Sequence, residues 1–438
     1  MTLHPFLQRL RGLGLVHPIG FVRKGAHGHF EATGPACTVG DLCEVAGEGA
    51  AVRVEVAAVD EAGLILVPLE QDRQVRPGAR VTALPGGGSA AVGDGFAGRA
   101  IDAFGRPFDG GGAIAVEART ALAGSVPRPL DRAAPRRMVK TGLRAIDGLL
   151  TLGEGQRVGI FAAAGVGKTS LLEQLAGQIE CDRVVLCLVG ERGREVEAIW
   201  RTLSARADAE RFTLVAATSD ETAALRARAA NVALCLAEHW RDRGQHVLLV
   251  VDSVTRLAMA LREIGLAAGE PPTVRAYTPN VFAALPRLVE RSGATGGGGA
   301  ITAVMTVLSE TDDVDDPIVE VMKSLLDGHI VLSRTLAERG HFPAIDVSRS
   351  ISRQAARLME RQHASAARTA VTQLGVYDEA RVMIESGVYK DGANAEIDQA
   401  IAMRAKLMAF LRQGQSENSG FADTLSGLRT AAGSGGHA

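Results

Sequence analysis

The feature that most constrains the fold is an alternation of two kinds of segment between residues 140 and 347. Short segments made almost wholly of aliphatic residues alternate there with longer segments that have helical apolar spacing. The segments read as buried strands are GQRVGIFA, RVVLCLVG, FTLVAAT, HVLLVVD, AITAVMTVL and HIVLS. Strands that are hydrophobic on both faces are typical of a parallel sheet covered by helices on each side. The pattern therefore predicts an α/β core with a mostly parallel sheet.

The sequence on either side of this core has a different texture. Residues 21–90 carry short β-branched runs separated by Gly, Asp and Pro turns, which predicts a small β-barrel or sandwich. Residues 357–438 contain amphipathic helical segments and no convincing strand, which predicts a helical C-terminal domain with a frayed tail. The core, with its entry linker, then spans residues 91–356. Residues 1–20 carry an apolar stripe with two arginines, which predicts a short helix that packs on the body or contacts a regulator or neighbouring subunit.

Composition excludes several classes of function. Lys and Arg total 48 and Asp and Glu total 50, so a protein that mainly coats nucleic acid or an anionic membrane is not expected. Hydrophobic residues make up 46% of the chain and charged residues 22%, which excludes disorder as the main state. No aliphatic run is long enough to cross a bilayer, and the first residues lack the pattern of a secretory signal. We therefore expect a cytoplasmic protein.

The segment AAAGVGKTS at residues 162–170 follows a predicted strand and precedes a predicted helix. This is the arrangement of a phosphate-binding loop, in which Gly165 and Gly167 let backbone N–H groups surround phosphate oxygens. Lys168 would place a positive charge beside the β- and γ-phosphates, and the Thr169 hydroxyl would bind Mg²⁺. The sequence therefore predicts a site for a nucleoside triphosphate with Mg²⁺. Its predicted nucleotide-binding residues are Ala163, Ala164, Gly165, Val166, Gly167, Lys168, Thr169 and Ser170.

Two carboxylates follow predicted strands near this loop. Asp252 ends the strand HVLLVVD, where a carboxylate at the carboxyl edge of a parallel sheet would hold Mg²⁺ and its waters. Glu191 follows the strand RVVLCLVG, where a carboxylate could polarise the water that attacks the γ-phosphate. The alternative for Glu191 is a surface ion pair with Arg192 or Arg194. Together with Lys168, these acids predict phosphoryl transfer to water.

Several long motifs follow one another along residues 35–412 in an order typical of one family. They are VGDGFAGRAIDAFGRPFDG, TGLRAIDGLLTLGEGQRVGIFA, AAAGVGKTS, GERGREVEAIW, VVDSVTRLAMALREIGLAAGEPP, LDGHIVLSRTLAERGHFPAIDVSRSISR and VYKDGANAEIDQAI. The chain resembles the catalytic ATPase of the flagellar and virulence type III protein-export apparatus, which is itself a relative of the head subunits of rotary ATP synthases. The resemblance implies a RecA-like P-loop NTPase core and the hydrolysis of ATP.

The resemblance also implies roles for single residues. Glu191 matches the family's catalytic glutamate, and Lys168 belongs to the same catalytic set. Phe342 falls where related subunits place an aromatic ring against adenine, although core packing is the alternative. Arg353 falls where the head subunits present an arginine finger to the neighbouring site, although an ion pair at a helix start is the alternative. Arg192 is expected to approach the γ-phosphate.

The family further implies an assembly and a set of partners. In rotary synthases the catalytic carboxylate and the finger arginine lie on different chains, whereas Glu191 and Arg353 lie on one chain here. That pairing favours a ring of identical subunits with head-to-tail contacts. The family implies a homohexamer in which residues 21–90 form a β-barrel oligomerisation domain, the collar of the ring, and which releases or unfolds chaperone-bound substrates. The implied partners are an export regulator, a central stalk protein, chaperone–substrate complexes and a membrane export gate. The ring would associate peripherally with the inner face of the bacterial cytoplasmic membrane and bind no nucleic acid.

Several alternatives remain open at this point. Both kinds of export apparatus share the motifs, and the overall texture favours the flagellar one. A catalytic subunit of a rotary ion-translocating ATPase, an RNA-translocating ring helicase and a scaffold that holds ATP without turnover are the other interpretations. A helicase would need aromatic stacking platforms in its barrel, yet residues 1–100 offer only four phenylalanines and no clustered basic-aromatic stretch.

The chain departs from the family pattern at two places. Ala162 and Ala163 stand at loop positions of which one is usually glycine, and alanine is tolerable there if its φ angle is negative. Ala276 and Thr278 interrupt the more usual Gly-Tyr-Pro-Pro pattern. We expect these departures to affect the rate of turnover more than nucleotide binding.

Overall fold

The computed structural model describes residues 18–433, apart from residues 27, 48, 72–73, 136 and 309–315. The helix predicted over residues 1–20 and the frayed tail predicted over residues 431–438 therefore lie mostly outside the described residues. The start of that tail is not frayed, because Ala431 ends a helix and both Ala431 and Ala432 are buried. None of the helices in the described part of the chain combines the length and apolar character that a membrane span requires.

The first six strands close into a small barrel, as the sequence predicts. They pair antiparallel in the order β1-β2-β5-β4-β3-β6, and β6 closes the barrel by pairing with β1. Val52, Val54 and Val56 of β4 are buried and their neighbours are more exposed, because side chains of a strand alternate between its two faces. The bounds are β1 Ile19–Ala26, β2 His29–Ala32, β3 Leu42–Val45, β4 Val52–Asp60, β5 Gly63–Pro68 and β6 Arg80–Leu84.

A connecting segment joins the barrel to the core. Strand β7 (Ser89–Val92) pairs with β9 (Ala118–Ala121), and the short strand β8 (Ala100–Ile101) joins the edge of the central sheet. A further two-stranded ladder pairs β11 (Met138–Val139) with β12 (Leu152–Gly153).

The central sheet has ten strands, and seven of them run parallel in the order β19-β13-β18-β16-β14-β15-β8. Strand β20 runs antiparallel to β19 at one edge, and β17 and β10 add an antiparallel extension beside β18. The bounds are β10 Arg132–Ala133, β13 Arg157–Ala162, β14 Arg183–Glu191, β15 Phe212–Thr218, β16 His246–Asp252, β17 Gly293–Thr295, β18 Ala300–Leu308, β19 Gly328–Leu332 and β20 Ile345–Ser352. All six strands predicted from the sequence are confirmed.

Helices cover both faces of this sheet. Strand β14 is continuously hydrophobic because both of its faces are buried. Leu186 and Leu188 belong to one buried hydrophobic cluster, and Val185 and Cys187 belong to the cluster on the other face. The core helices are α1 Arg144–Leu149, α2 Lys168–Gln178, α3 Gly193–Ser204, α4 Ala223–Arg241, α5 Val254–Ala267, α6 Pro279–Glu290, α7 Pro317–Leu325, α8 Arg334–Glu338 and α9 Ala355–Leu358.

The chain ends in a helical region, which confirms that part of the predicted fold. Its helices are α10 Arg361–Glu385, α11 Ala395–Leu411 and α12 Phe421–Ala431. Helix α10 joins two segments that the sequence pattern separates, and α12 lies in a stretch without a predicted element. Buried residues of all three helices belong to the same cluster as α2 and α3, so the C-terminal region packs directly on the core.

The departure at Ala276 has a physical cost. Between α5 and α6, Arg275 and Ala276 adopt φ angles of 50° and 61°, in the left-handed region. A side chain in that region costs roughly 1–2 kcal/mol because Cβ approaches the following carbonyl oxygen, whereas glycine bears no such cost. The loop therefore keeps the shape that glycine favours although the sequence supplies alanine.

We predict that Ala276→Gly raises the free energy of unfolding by about 1 kcal/mol, because it removes this strain. The measurement is the midpoint of urea unfolding. The matched control is Ala268→Gly, which changes a residue with φ −74° at the end of α5 and should lower the midpoint. Equal effects of the two substitutions would contradict the assignment of strain to Ala276.

Candidate functional site

The predicted phosphate-binding loop connects the carboxyl end of β13 to the amino end of α2. Gly165 and Gly167 have φ angles of 78° and 90°, which glycine adopts without strain. Among the described residues, Arg275 and Ala276 are the only ones other than glycine with positive φ. Ala162 and Ala163 therefore have ordinary φ angles, and alanine at these positions does not disturb the course of the loop.

Lys168 meets both predicted carboxylates. Its Nζ is hydrogen-bonded to Asp252 Oδ1 and lies 3.4 Å from Glu191 Oε1. Thr306 on β18 donates a hydrogen bond of 2.6 Å to Asp252 Oδ1, which fixes the carboxylate from the strand between β13 and β16. The carboxyl ends of three strands and the start of α2 thus bring lysine and two acids to one edge of the sheet.

Glu191 occupies an environment suited to proton transfer. Its side chain is 5% exposed, and burial raises the pKa of its carboxyl, as do the charge of Asp252 and a hydrogen bond with Glu195, while the positive charges of Lys168 and Arg256 lower it. A raised pKa makes a carboxylate a better proton acceptor. The alternative of a surface ion pair does not hold among the described contacts, because Glu191 is buried and pairs with Lys168 and Arg256, whereas Arg192 lies 3.9 Å from Glu195.

Arg256 is a residue of this site that the sequence analysis did not single out. Its Nη2 lies 3.2 Å from Glu191 Oε2, and its Nη1 donates to the carbonyl oxygen of Gly190. Arg256 lies in the first turn of α5, four residues after Asp252. Its place in the motif VVDSVTRLAMAL, close to Asp252, was the sequence signal that could have indicated a role in the site. Thr306 gave no such signal, because its hydrogen bond to Asp252 exists only through the placement of β18 beside β16 in the sheet.

A cavity of about 530 Å³ opens beside the phosphate-binding loop. It is bordered by Gly167, by Phe342 and by the segment 412–415 that follows α11. Phe342 is 45% exposed, so its ring is not part of the hydrophobic core. The backbone N–H of Gln413 donates to the Phe342 carbonyl oxygen at 2.8 Å, which ties the C-terminal region to this wall of the cavity.

The donor set at the sheet edge suits a magnesium ion. Thr169 follows Lys168 in the first turn of α2, and Asp252, which ends β16, is in contact with Lys168. Hydroxyl and carboxylate oxygens are the ligands that Mg²⁺ prefers, usually with several waters and phosphate oxygens retained. These two residues therefore fit the predicted metal role.

Arg353 lies at the opposite edge of the sheet from the phosphate-binding loop. Arg353 follows Ser352, the last residue of β20. Ser352 pairs with Gly328 of β19, and Gly328 pairs with Val158 near the start of β13. Ala162, where β13 enters the phosphate-binding loop, lies four residues beyond Val158. At 3.3 Å per residue, Ser352 and the start of the loop are therefore about 13 Å apart along the strand direction. The exposed Arg353 side chain donates to the Lys323 carbonyl oxygen at 3.4 Å and forms no ion pair with a carboxylate in the described part of the chain. The site of its own chain is out of its reach.

Arg192 is also separate from the lysine and the two acids. Its side chain is 67% exposed, and its nearest carboxylate is that of Glu195. The structure therefore brings together Lys168, Glu191 and Asp252 within one site, with Phe342 beside the loop, and leaves Arg192 and Arg353 at the surface.

Two family models match the chain. The model of the ATP synthase alpha/beta family, nucleotide-binding domain, matches residues 142–352. The model of the T3SS EscN ATPase C-terminal domain matches residues 359–430. The first match contains the loop and both carboxylates, and the second contains nearly all of α10, α11 and α12.

Known proteins match over nearly the whole chain. The flagellum-specific ATP synthase of Bacillus subtilis is 43% identical over 406 residues, which are 92% of each chain. The type 3 secretion system ATPase of Xanthomonas euvesicatoria is 41% identical over 397 residues, which are 90% of each chain.

Solved structures of the ATPase EscN from the type III secretion system of enteropathogenic Escherichia coli share the fold. The assembled ATPase has a TM-score of 0.89 at 38% identity, and its complex with the central stalk EscO has a TM-score of 0.85 at 37% identity. Each match covers 94% of the present chain and all of the EscN chain.

Proposed function

The chain belongs to the family of flagellum-specific and type III secretion ATPases, and we propose that it hydrolyses ATP to energise protein export through a flagellar apparatus. The observation that carries this proposal is the convergence of Lys168, Glu191 and Asp252 on the edge of the sheet where β13 enters the phosphate-binding loop. Each of the three groups has a separate task in the transfer of a phosphoryl group to water.

The proposed chemistry begins with an exchange of partners at Lys168. Its ion pairs with Asp252 and Glu191 give way to the β- and γ-phosphates, which the backbone N–H groups of the loop also bind. Thr169 and Asp252 would hold Mg²⁺, which would neutralise phosphate charge when bound. Glu191 accepts the proton of the attacking water, and Arg256 fixes its second carboxylate oxygen.

The adenine is proposed to lie in the cavity beside Phe342. The ring borders both Gly167 and the open volume, since a Cβ added at Gly167 would lie 3.3 Å from Phe342 Cε1. This position lets the base stack on an aromatic face while its phosphates reach the loop. Arg192 is proposed to approach the γ-phosphate once nucleotide is bound, because its side chain is 67% exposed and its contact with Glu195 is long, at 3.9 Å.

Arg353 is proposed to complete the site of a neighbouring subunit. It cannot serve its own chain from the opposite edge of the sheet, whereas head-to-tail packing of identical chains would bring it to the next site. We therefore propose a homohexameric ring in which the barrel domain forms a collar. The assembled state of EscN supports this arrangement.

The wider partners of the ring are inferred from the family. We propose a central stalk protein, as in the complex of EscN with EscO, together with an export regulator, chaperone–substrate complexes and a membrane export gate. The ring would work in the cytoplasm, peripherally at the inner face of the membrane. Residues 1–20 are the proposed contact for the regulator or a neighbouring subunit.

Two observations argue against the other candidate functions. A helicase barrel needs exposed aromatic rings, yet Phe30 and Phe96 are buried and only Phe21 is exposed among the described phenylalanines of residues 18–100. A rotary catalytic subunit takes its finger arginine from a different kind of chain, whereas Glu191 and Arg353 share one chain here. Both observations favour a ring of identical export ATPases.

We predict that Glu191→Gln retains ATP binding but hydrolyses ATP at least ~100-fold more slowly, because the amide cannot accept the proton of water. The measurement is steady-state phosphate release together with nucleotide affinity. Glu197→Gln on α3 is the matched control, since Glu197 pairs with Arg201 at the surface, and it should be unaffected. An unchanged rate in Glu191→Gln would show that another group activates the water.

We predict that Arg353→Ala binds nucleotide normally but hydrolyses ATP ~10³-fold more slowly, because each site then lacks the positive charge supplied by its neighbour. Arg357→Ala, four residues further on and also exposed, is the control. Mixing Arg353→Ala with Glu191→Gln subunits should restore part of the activity, since some interfaces then pair an intact finger with an intact carboxylate. Co-assembled rings without recovery would contradict action between subunits.

We predict that the intact chain restores motility to a flagellated bacterium lacking its own flagellar export ATPase, whereas Glu191→Gln does not. The measurement is swarm diameter together with secreted hook and filament protein. Restoration of type III effector secretion alone, in a virulence strain treated in the same way, would assign the protein to the other apparatus.

A further inference from the structure

A second cavity lies at the junction of the core and the C-terminal helices, on the other side of the segment that carries Phe342. Its volume is about 310 Å³, and β20, the α8 region, α10 and α11 all contribute side chains to its wall. This volume is at the lower end of the range of small-molecule sites. The cavity is separate from the phosphate-binding loop, because it shares no lining residue with the nucleotide-side cavity.

The cavity contains a buried imidazole, that of His341, whose nitrogens lack a hydrogen-bond partner among the described residues. The side chain is 2% exposed and lines the cavity, yet neither Nδ1 nor Nε2 has a hydrogen-bond partner among the residues that the structure describes. A neutral imidazole presents one donor and one acceptor, and buried polar groups of folded proteins are nearly always paired. A polar molecule in the cavity would supply the missing partner.

The charges around the cavity favour an anion. Four arginines and two aspartates line it, and Glu385 lies just outside, where it pairs with two of the arginines. The lining charged residues are Arg339, Arg349, Arg381, Arg404, Asp346 and Asp378. Among the residues that the structure describes, these four arginines outnumber the three carboxylates, Glu385 included. The pKa of His341 is lowered to about 4 by its burial, with the positive charges of Arg412 and Arg404 adding to the effect, so the ring is neutral at pH 7.

The two aspartates are already engaged by other groups. Ser348 Oγ lies 2.6 Å from Asp346 Oδ1 and 3.1 Å from Asp378 Oδ2, and Asp378 Oδ1 lies 3.5 Å from Arg404 Nη1. Their charges are thus shared with neighbours on the wall. The remaining wall is apolar and includes Leu336, Leu374, Met408 and Leu411.

From these observations we propose that the junction cavity binds a small organic anion, with its acidic group toward His341 and the arginines and its carbon body against the apolar wall. A bound molecule would bridge α10 and α11 to the segment that carries Phe342. The proposal goes beyond ATP hydrolysis and does not depend on it, because none of the residues involved belongs to the proposed catalytic set.

The test uses benzoate as the probe, because it combines a carboxylate with an apolar ring. Benzyl alcohol retains the ring without the charge, and acetate retains the charge without the ring. Binding to the full chain is measured by saturation-transfer NMR. We expect saturable benzoate binding with a Kd of about 1–10 mM and no saturable binding of the other two probes.

Variants locate the site. His341→Phe and Arg381→Met should each weaken benzoate binding at least ~10-fold, a loss of about 1.4 kcal/mol. The matched control is Arg368→Met, which makes the same change at an exposed position of α10 outside the cavity, and Lys168→Ala excludes binding at the phosphate loop. Both controls should bind benzoate as the parent does.

Three outcomes would overturn the proposal: no saturable benzoate binding by the parent chain, equal binding of benzyl alcohol, or unchanged binding by Arg381→Met. Circular dichroism checks the fold of each variant. If His341→Phe does not fold, Arg381→Met decides the question, because its side chain is partly exposed and its loss leaves no buried gap.

Discussion

The contact on which the site depends is the ion pair between Lys168 and the two acids at the edge of the sheet. Glu191 and Asp252 are almost fully buried, and two carboxylates in one buried place repel each other unless cations compensate them. Lys168 lies between them, and Arg256 compensates Glu191 from the other side. The parallel sheet makes this possible, because it delivers the ends of β13, β14 and β16 to one edge while hydrophobic clusters cover both of its faces.

Much of this arrangement follows from the sequence. Continuous hydrophobic runs such as those of β14 and β16 predict buried parallel strands, and the positions of Lys168, Glu191 and Asp252 at strand ends predict their convergence. Strand β20 was missed because one of its faces is open, so its sequence alternates with serine and arginine and lacks a hydrophobic run. Thr306 and His341 were missed for a different reason, since their importance arises from lateral neighbours that spacing along the chain does not reveal.

The two departures from the family pattern have unlike consequences because backbone conformation differs between them. At Ala162 and Ala163 the chain does not enter the left-handed region, so a methyl group there carries no steric cost. Ala276 has a φ angle of 61°, in the left-handed region, where the methyl group carries a steric cost. Sequence comparison alone gives equal weight to both replacements of glycine, whereas the φ angle separates a neutral change from a strained one.

The placement of Arg353 connects the chemistry of one chain to its assembly. An antiparallel strand at the edge of a parallel sheet returns the chain to the amino edge, and β20 thereby carries Arg353 away from the site that its own chain builds. With Arg353 as the proposed finger, a chain that separates it from Lys168 and Glu191 in this way would not assemble a complete site alone. Its activity would then require a neighbour in a fixed head-to-tail orientation, which only a closed ring supplies to every subunit at once. Hydrolysis and ring closure would be linked for that reason, without any further regulatory element.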